Sequence, residues 1–374
     1  MRTAVKHLFA VLSIVLLIDS GAVFGDAYAM AEERVTFYPT YGFRQGDCWV
    51  VPMRVWVHER RGVAEKLITR VAASMGDLDA TGLDNFRDRI QDFVADDQSR
   101  EVVAFTFDQD PDDQAYQVES SPGIYPKTDL NGLIEGTIAI PIDKAQDLLA
   151  RQGSLDGWLT YRAASKGHAG TGRVRLIESE GLTVISDIDD TVKITQITAG
   201  AKVVIRNTFF LDFNAVPGMA EMYRSWPGAA FHYISGGPWQ LYGPLSRFLF
   251  SPAAGFPEGS FHMKNARKNL LNADTWQDLS ALITNENLTF ERKLAQISEI
   301  MSRFPDRRFI LVGDSGEKDP EVYREIKRRF PEQVREIMIR DCTDALENDP
   351  ARLEGMRVIP ASVADESGPQ EEAP

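Results

Sequence analysis

Val184-Ile-Ser-Asp-Ile-Asp-Asp-Thr191 is a short apolar run that ends abruptly in carboxylates. Its start has the β-branched character of a strand buried on both faces, and three aspartates within the next four positions cannot prolong such a strand, because burying unpaired carboxylates costs too much. A strand that stops in polar groups fits a parallel α/β sheet, where ligand sites lie beyond the carboxyl ends of the strands. Two later runs repeat the pattern: Phe231–Ser235 leads into Gly236-Gly237, and Arg308–Val312 leads into Gly313-Asp-Ser-Gly-Glu-Lys-Asp319. Each of the three runs is followed by a helical stretch. Residues 179–362 are therefore expected to form a doubly wound α/β parallel sheet whose polar strand ends converge.

Upstream, from residue 30 to 178, the pattern is short period-2 runs separated by turn residues. These are Val35–Tyr38, Trp49–Val51, Arg54–Val57, Val102–Phe107, Gly136–Ile140 and Gly157–Tyr161, which together suggest a β-rich, sandwich-like domain. Helical spacing between Val63 and Phe93 places one or two helices in or beside that sheet. The acidic stretch Asp108–Asp113 lacks the spacing of a helix-loop-helix calcium site and reads as a solvated loop.

The ends of the chain carry different signals. A basic start, the apolar run Leu8–Ile18 and small residues up to Gly25 and Ala29 have the layout of a signal peptide over residues 1–29. The run is shorter than the roughly 20 residues needed to cross a bilayer, so an exported protein, periplasmic or secreted, is expected. Residues 363–374 are acidic, lack large apolar side chains and read as a disordered tail. A formal charge of −14 argues against nucleic acid as a partner. Cys48 and Cys342 provide no disulfide framework. Whether they pair is left open, with buried free thiols favoured over a bridge.

In Asp187-Ile-Asp189 a sharp turn after the strand would aim both side chains into one cavity. Two carboxylates there suit a phosphate ester, one attacking phosphorus and the other handling the proton of the leaving oxygen. Crowded carboxylates resist ionising together, so a divalent cation is implied. Mg²⁺ fits a site made of the Asp187 carboxylate, the Asp189 carbonyl and Asp314, and no histidine–cysteine pattern suggests zinc. His232 and His262 read as structural.

Asp187-Ile-Asp-Asp-Thr191, Ser235, a helix lysine and Gly313–Asp319 resemble, in order and spacing, the four motifs of haloacid dehalogenase superfamily phosphatases. Ser186–Val192, Tyr233-Ile-Ser-Gly-Gly-Pro-Trp239 and Val312–Pro320, with Tyr323 after it, more narrowly resemble the phosphatidate phosphatase family typified by fungal actin patch protein. The resemblance covers roughly residues 181–360. It implies an aspartyl-phosphate mechanism, with Asp187 as nucleophile and Asp189 as acid and then base. Thr191, Ser235 and the Gly236 amide would hold phosphate oxygens. Lys293, in a helix over Phe290–Arg303, would balance charge, with Lys264 as its rival. Asp187, Asp189, Asp314 and Asp319 would form the Mg²⁺ side, although Asp319 could instead cap the helix that starts at Pro320.

The implied reaction turns phosphatidate into diacylglycerol, with peripheral contact to a membrane surface. A general phosphomonoesterase acting on soluble esters and a non-catalytic phosphate-recognising protein stand as alternatives. The apolar residues in Ile205–Phe213, Trp239, Tyr242 and Phe248–Phe250 could form a lip for acyl chains or merely a core.

Overall fold

The computed structural model describes residues 33–60, 62, 65–76, 78–265 and 286–361. The expected leader at 1–29 and the acidic tail at 363–374 lie outside the described residues.

Nine strands make up the first sheet: β1 (Glu33–Phe37), β2 (Thr40–Gln45), β3 (Cys48–Glu59), β4 (Asp96–Asp97), β5 (Phe105–Phe107), β6 (Leu133–Pro141), β7 (Trp158–Ala163), β8 (His168–Ala169) and β9 (Thr171–Leu176). Most of its pairings are antiparallel. β2 changes partner midway, since Thr40–Gly42 run parallel to β9 while Phe43–Gln45 run antiparallel to β3. Through β2 a single hydrogen-bonded path links the strands around one apolar core. Val51, Met53 and Val55 of β3 there share a cluster with Phe105, Leu159, Tyr161 and Val174.

β3 is one strand where the sequence suggested two, because Pro52 falls in a gap. On one side β6 pairs with β3 from Cys48 to Trp56; on the other, β2 covers Cys48–Val50 and β1 covers Val55–His58. Lacking an N–H, proline is tolerated where one edge has no partner. The loop at Asp108–Asp113 also differs from its reading. Asp110 is buried and, with Asp112, binds the Lys144 ammonium at 2.6 and 2.9 Å, so the chain's own lysine neutralises it.

The second sheet contains β10 (Leu182–Asp187), β11 (Ala230–Pro238), β12 (Ser260–Lys264), β13 (Arg308–Asp314), β14 (Val334–Asp341) and β15 (Arg357–Pro360). All pairs are parallel, in the order β12-β11-β10-β13-β14-β15. The chain runs outward from β10 on one side and then returns to build the other, which leaves a crevice beyond the ends of β10 and β13. Successive strand residues feed opposite faces: Val184, Ile310 and Val312 join one apolar cluster, while Ile185, Phe309 and Leu311 join another.

Among the described residues the helices are α1 (Glu65–Met75), α2 (Ala80–Ile90), α3 (Ile142–Gln152), α4 (Ala201–Phe209), α5 (Met219–Arg224), α6 (Tyr242–Leu249), α7 (Glu286–Arg303), α8 (Asp319–Arg329) and α9 (Ala345–Asn348). The helices expected between Val63 and Phe93 exist as α1 and α2, but they pack against the second unit. Leu67, Val71, Phe86 and Ile90 share a core with Ile205, Phe209 and Leu245, and Phe86 stacks on Phe210 at 4.9 Å. Arg89 donates to the carbonyls of Thr208 and Leu211, the last groups of α4 and the turn after it, at 3.0 and 2.6 Å. A cation there is favoured by the helix dipole.

Candidate active site

β10 brings Asp187 to the head of the crevice, where it is 1% exposed. The chain then reverses. Asp190 adopts a left-handed φ of 53°, and its carboxylate accepts the backbone N–H groups of Thr195, Gln196 and Ile197 at 2.7, 2.7 and 2.6 Å. Asn and Asp tolerate that conformation better than bulky residues, and three charge-assisted bonds hold the turn. Arg340 secures it from β14 by donating to the Asp190 carbonyl at 2.7 Å.

α7 supplies Lys293, whose buried ammonium lies 2.7 Å from Asp187, 2.8 Å from Glu317 and 2.6 Å from Asp319. β13 supplies Asp314, which accepts the N–H groups of Gly316 and Glu317 through Oδ1 at 2.6 and 3.0 Å. Asp319 begins α8, yet its side chain turns away from that helix towards Lys293 and the Asp314 amide. Gly313 makes room for it, since a Cβ at that position would lie 2.3 Å from Asp319 Oδ2.

Burial and the neighbouring carboxylates raise the Asp187 and Asp314 carboxyls well above the ordinary range, with Lys293 opposing, and Asp319 is raised for the same reasons. Burial works against the Lys293 ammonium, but the surrounding acids more than offset it and hold it well above the usual lysine range.

Asp187, Asp314 and Asp319 each offer an oxygen within 4.8 Å of the others. Asp187 Oδ2 and Asp314 Oδ2 are buried without a hydrogen-bond partner among the described residues. Two orphaned anionic oxygens in an all-oxygen set fit a hard divalent cation. The Asp189 side chain is not part of this group.

Asp189 instead faces a cavity of about 610 Å³. It accepts from Lys193 Nζ at 3.1 Å, Thr195 Oγ1 at 2.7 Å and Ser235 Oγ at 3.2 Å. Burial would raise its pKa, but the Lys193 ammonium and these hydrogen bonds outweigh that and bring it below the ordinary value. Ser235 Oγ also accepts the Gly237 N–H at 2.9 Å, and Gly236 and Lys293 line the same cavity. Asp187 lies one contact deeper, behind Lys293.

Thr191 is fully buried, does not line the cavity, and its Oγ1 has no hydrogen-bond partner among the described residues. Lys264 sits at the end of β12, with its pKa pushed down to about 8 by burial and by Arg292. The ammonium that touches Asp187 is that of Lys293. His232 is buried and His262 half-buried, and both hydrogen-bond Ser260 Oγ, at 2.6 and 2.9 Å. Cys48 and Cys342 are both unpaired.

The apolar residues proposed as a lip divide. Ile205, Phe209 and Phe210 are core, and Trp239 and Tyr242 pack on Tyr38 of the first unit at 4.5 and 5.1 Å. Phe213 does reach the cavity, where Ile197, Val204, Leu241, Leu245 and Phe290 complete an apolar wall. Sequence reading missed Lys193, Thr195, Asp190 and Glu317. The first two lie just past the quoted motif, and only the turn at Asp190 carries them back to Asp189.

Residues 182–341 match the family described as the catalytic domain of phosphatidate phosphatase APP1. The resemblance read from the strand-end motifs thus recurs over this segment, which is similar to that catalytic domain. Among curated proteins, phosphatidate phosphatase APP1 of Saccharomyces cerevisiae is 31% identical over 205 residues, covering 52% of this chain and 32% of the yeast protein. An uncharacterized protein of Schizosaccharomyces pombe is 29% identical over 174 residues, covering 45% of this chain and 26% of its own. The matched stretch thus spans about a third or less of the length of these relatives.

Proposed function

We propose that the protein is an exported, Mg²⁺-dependent phosphatase of the haloacid dehalogenase type that converts phosphatidate to diacylglycerol. The observation that carries this reading is Asp187. It is a buried carboxylate with one oxygen held by Lys293 and the other unpartnered, at a parallel-strand end beside a cavity with an apolar wall.

Phosphate oxygens would sit against Ser235 and the Gly236 amide, with the phosphorus facing the Asp187 oxygen that a cation would leave free, after Lys293 gives way. That oxygen attacks phosphorus, the bond from phosphorus to the leaving oxygen breaks, and Asp189 gives its proton to that oxygen. Asp189 is ionised at rest, and a phosphate dianion arriving beside it favours its protonated form. In the second half Asp189 takes a proton from water as the water oxygen attacks phosphorus and releases Asp187. A cation held by Asp187, Asp314 and Asp319 would add positive charge beside the phosphate and relieve repulsion among these carboxylates.

The lipid preference rests on the apolar wall running from Phe213 to Phe290 beside the polar end of the cavity, and on the name of the yeast relative. Purified mature protein should release phosphate from phosphatidate faster than from water-soluble esters with Mg²⁺, and not with chelator. Asp187→Asn should lower the rate by about a thousandfold or more, as expected for loss of a nucleophile. Absence of release from every ester tested would defeat the enzyme reading. Equal rates on soluble esters would defeat the lipid assignment alone.

A further inference from the structure

Beside the catalytic cavity lies a second one of about 390 Å³, lined by Arg54, Glu135, Trp239, Met263, Asn265 and Arg292 among others. No lining residue is common to the two, but two residues of the second adjoin, in sequence, segments that line the first. Trp239 follows the Ser235-Gly-Gly loop on β11, and Arg292 precedes Lys293 on α7.

Arg292 Nε and Nη2 are buried with no hydrogen-bond partner among the described residues. Those two nitrogens form one edge of the guanidinium, the edge that donates side by side to two oxygens of a carboxylate or phosphate. Leaving two buried charged donors unmade is costly, so the edge is built for a group that arrives from outside.

Opposite stands Arg54, from β3 of the first unit. Its guanidinium bonds to Glu135 and donates to Asn265 Oδ1 at 2.7 Å, and its Cζ lies 4.8 Å from the centroid of the Trp239 ring. Arg54 Nε is likewise buried and unpartnered among the described residues. Two guanidiniums against the single carboxylate Glu135, which is 60% exposed, leave the cavity cationic.

We propose that this cavity is a second oxyanion subsite, in which Arg292 grips a phosphate group bidentately and Arg54 closes it from the other unit. Either free inorganic phosphate or a second phosphate on the substrate would meet the same chemistry. Its effect on turnover rests on the phosphatase reading, whereas the binding does not.

The test is calorimetric titration of the full chain with inorganic phosphate in Mg²⁺ buffer. The wild type should bind at two sites. Arg292→Gln should lose one of them, and Arg292→Lys, which keeps the charge but not the fork, should weaken it about tenfold. Arg54→Gln, on the other unit, should weaken the same site and guards against a folding defect at Arg292; circular dichroism melts check both. Coincident isotherms for wild type and Arg292→Gln would overturn the proposal.

Kinetics then separate the two sources. If free phosphate is the occupant, product inhibition has a noncompetitive part that Arg292→Gln removes. If a second substrate phosphate is the occupant, Arg292→Gln raises KM about tenfold more for a bisphosphorylated ester than for a monophosphorylated one. If no ester is hydrolysed, the phosphatase reading falls while the isotherms still decide this one.

Discussion

Replacing Lys293 by methionine should unsettle the second unit in a pH-dependent way. The ammonium lies within 2.8 Å of three carboxylates, and Asp187 and Asp319 are almost wholly buried. Methionine keeps the length of the side chain and removes the charge. Removing one partner of a buried ion pair costs about 3–5 kcal/mol, because the remaining charge stays desolvated. Protonation can relieve part of that. The carboxyls of Asp187, Asp314 and Asp319 already stand above their ordinary range, and losing Lys293 raises them further. Groups with raised folded pKa values contribute their full stability below the unfolded value and lose it as pH climbs through the folded one. The variant should therefore lose about 3–5 kcal/mol at pH 8 but roughly half that at pH 5. Urea unfolding in chelator, followed by tryptophan fluorescence and far-ultraviolet circular dichroism, measures the difference. A loss below about 1 kcal/mol at pH 8, or one of equal size at both pH values, would refute charge compensation as the role of Lys293.

Gly313→Ala should cost about 1–3 kcal/mol in the same unfolding assay, since the new methyl group must displace Asp319. An unchanged midpoint would mean that Asp319 moves aside freely. Burial lowers the pKa of His262 to about 3 and that of His232 well below its usual value, so both stay neutral in the fold while the unfolded chain takes up protons below about pH 6.5. Each should remove about 2 kcal/mol of stability by pH 5, and His262→Gln should move the acid-unfolding midpoint to lower pH. A midpoint that does not move would count against that cause.

How much of this was legible in the sequence depended on burial. Strands covered on both faces read as unbroken apolar runs, so β10, β11 and β13 stood out, and the polar residues at their ends with them. β9 was passed over because Arg173 and Arg175 alternate with its apolar residues, and β2 because it changes partner halfway. α3 follows directly on β6, with no loop to mark the change of period. Lys193 and Thr195 reach Asp189 only through the left-handed turn at Asp190, which no periodicity announces. Helical spacing revealed α1 and α2 but not where they dock, since an apolar stripe names no partner.

That docking bears on how the chain can be cut. The segment matching the family starts at residue 182, yet Leu67, Val71, Phe86 and Ile90 from far upstream complete the apolar cluster behind the cavity wall, and Arg89 lies 3.8 Å above the Phe213 ring. A fragment trimmed at the family boundary would bare a greasy face on α4 and α6 and lose the brace behind Phe213. The smallest fragment that keeps this cavity wall therefore includes α1 and α2, and with them the sheet strands that tether both.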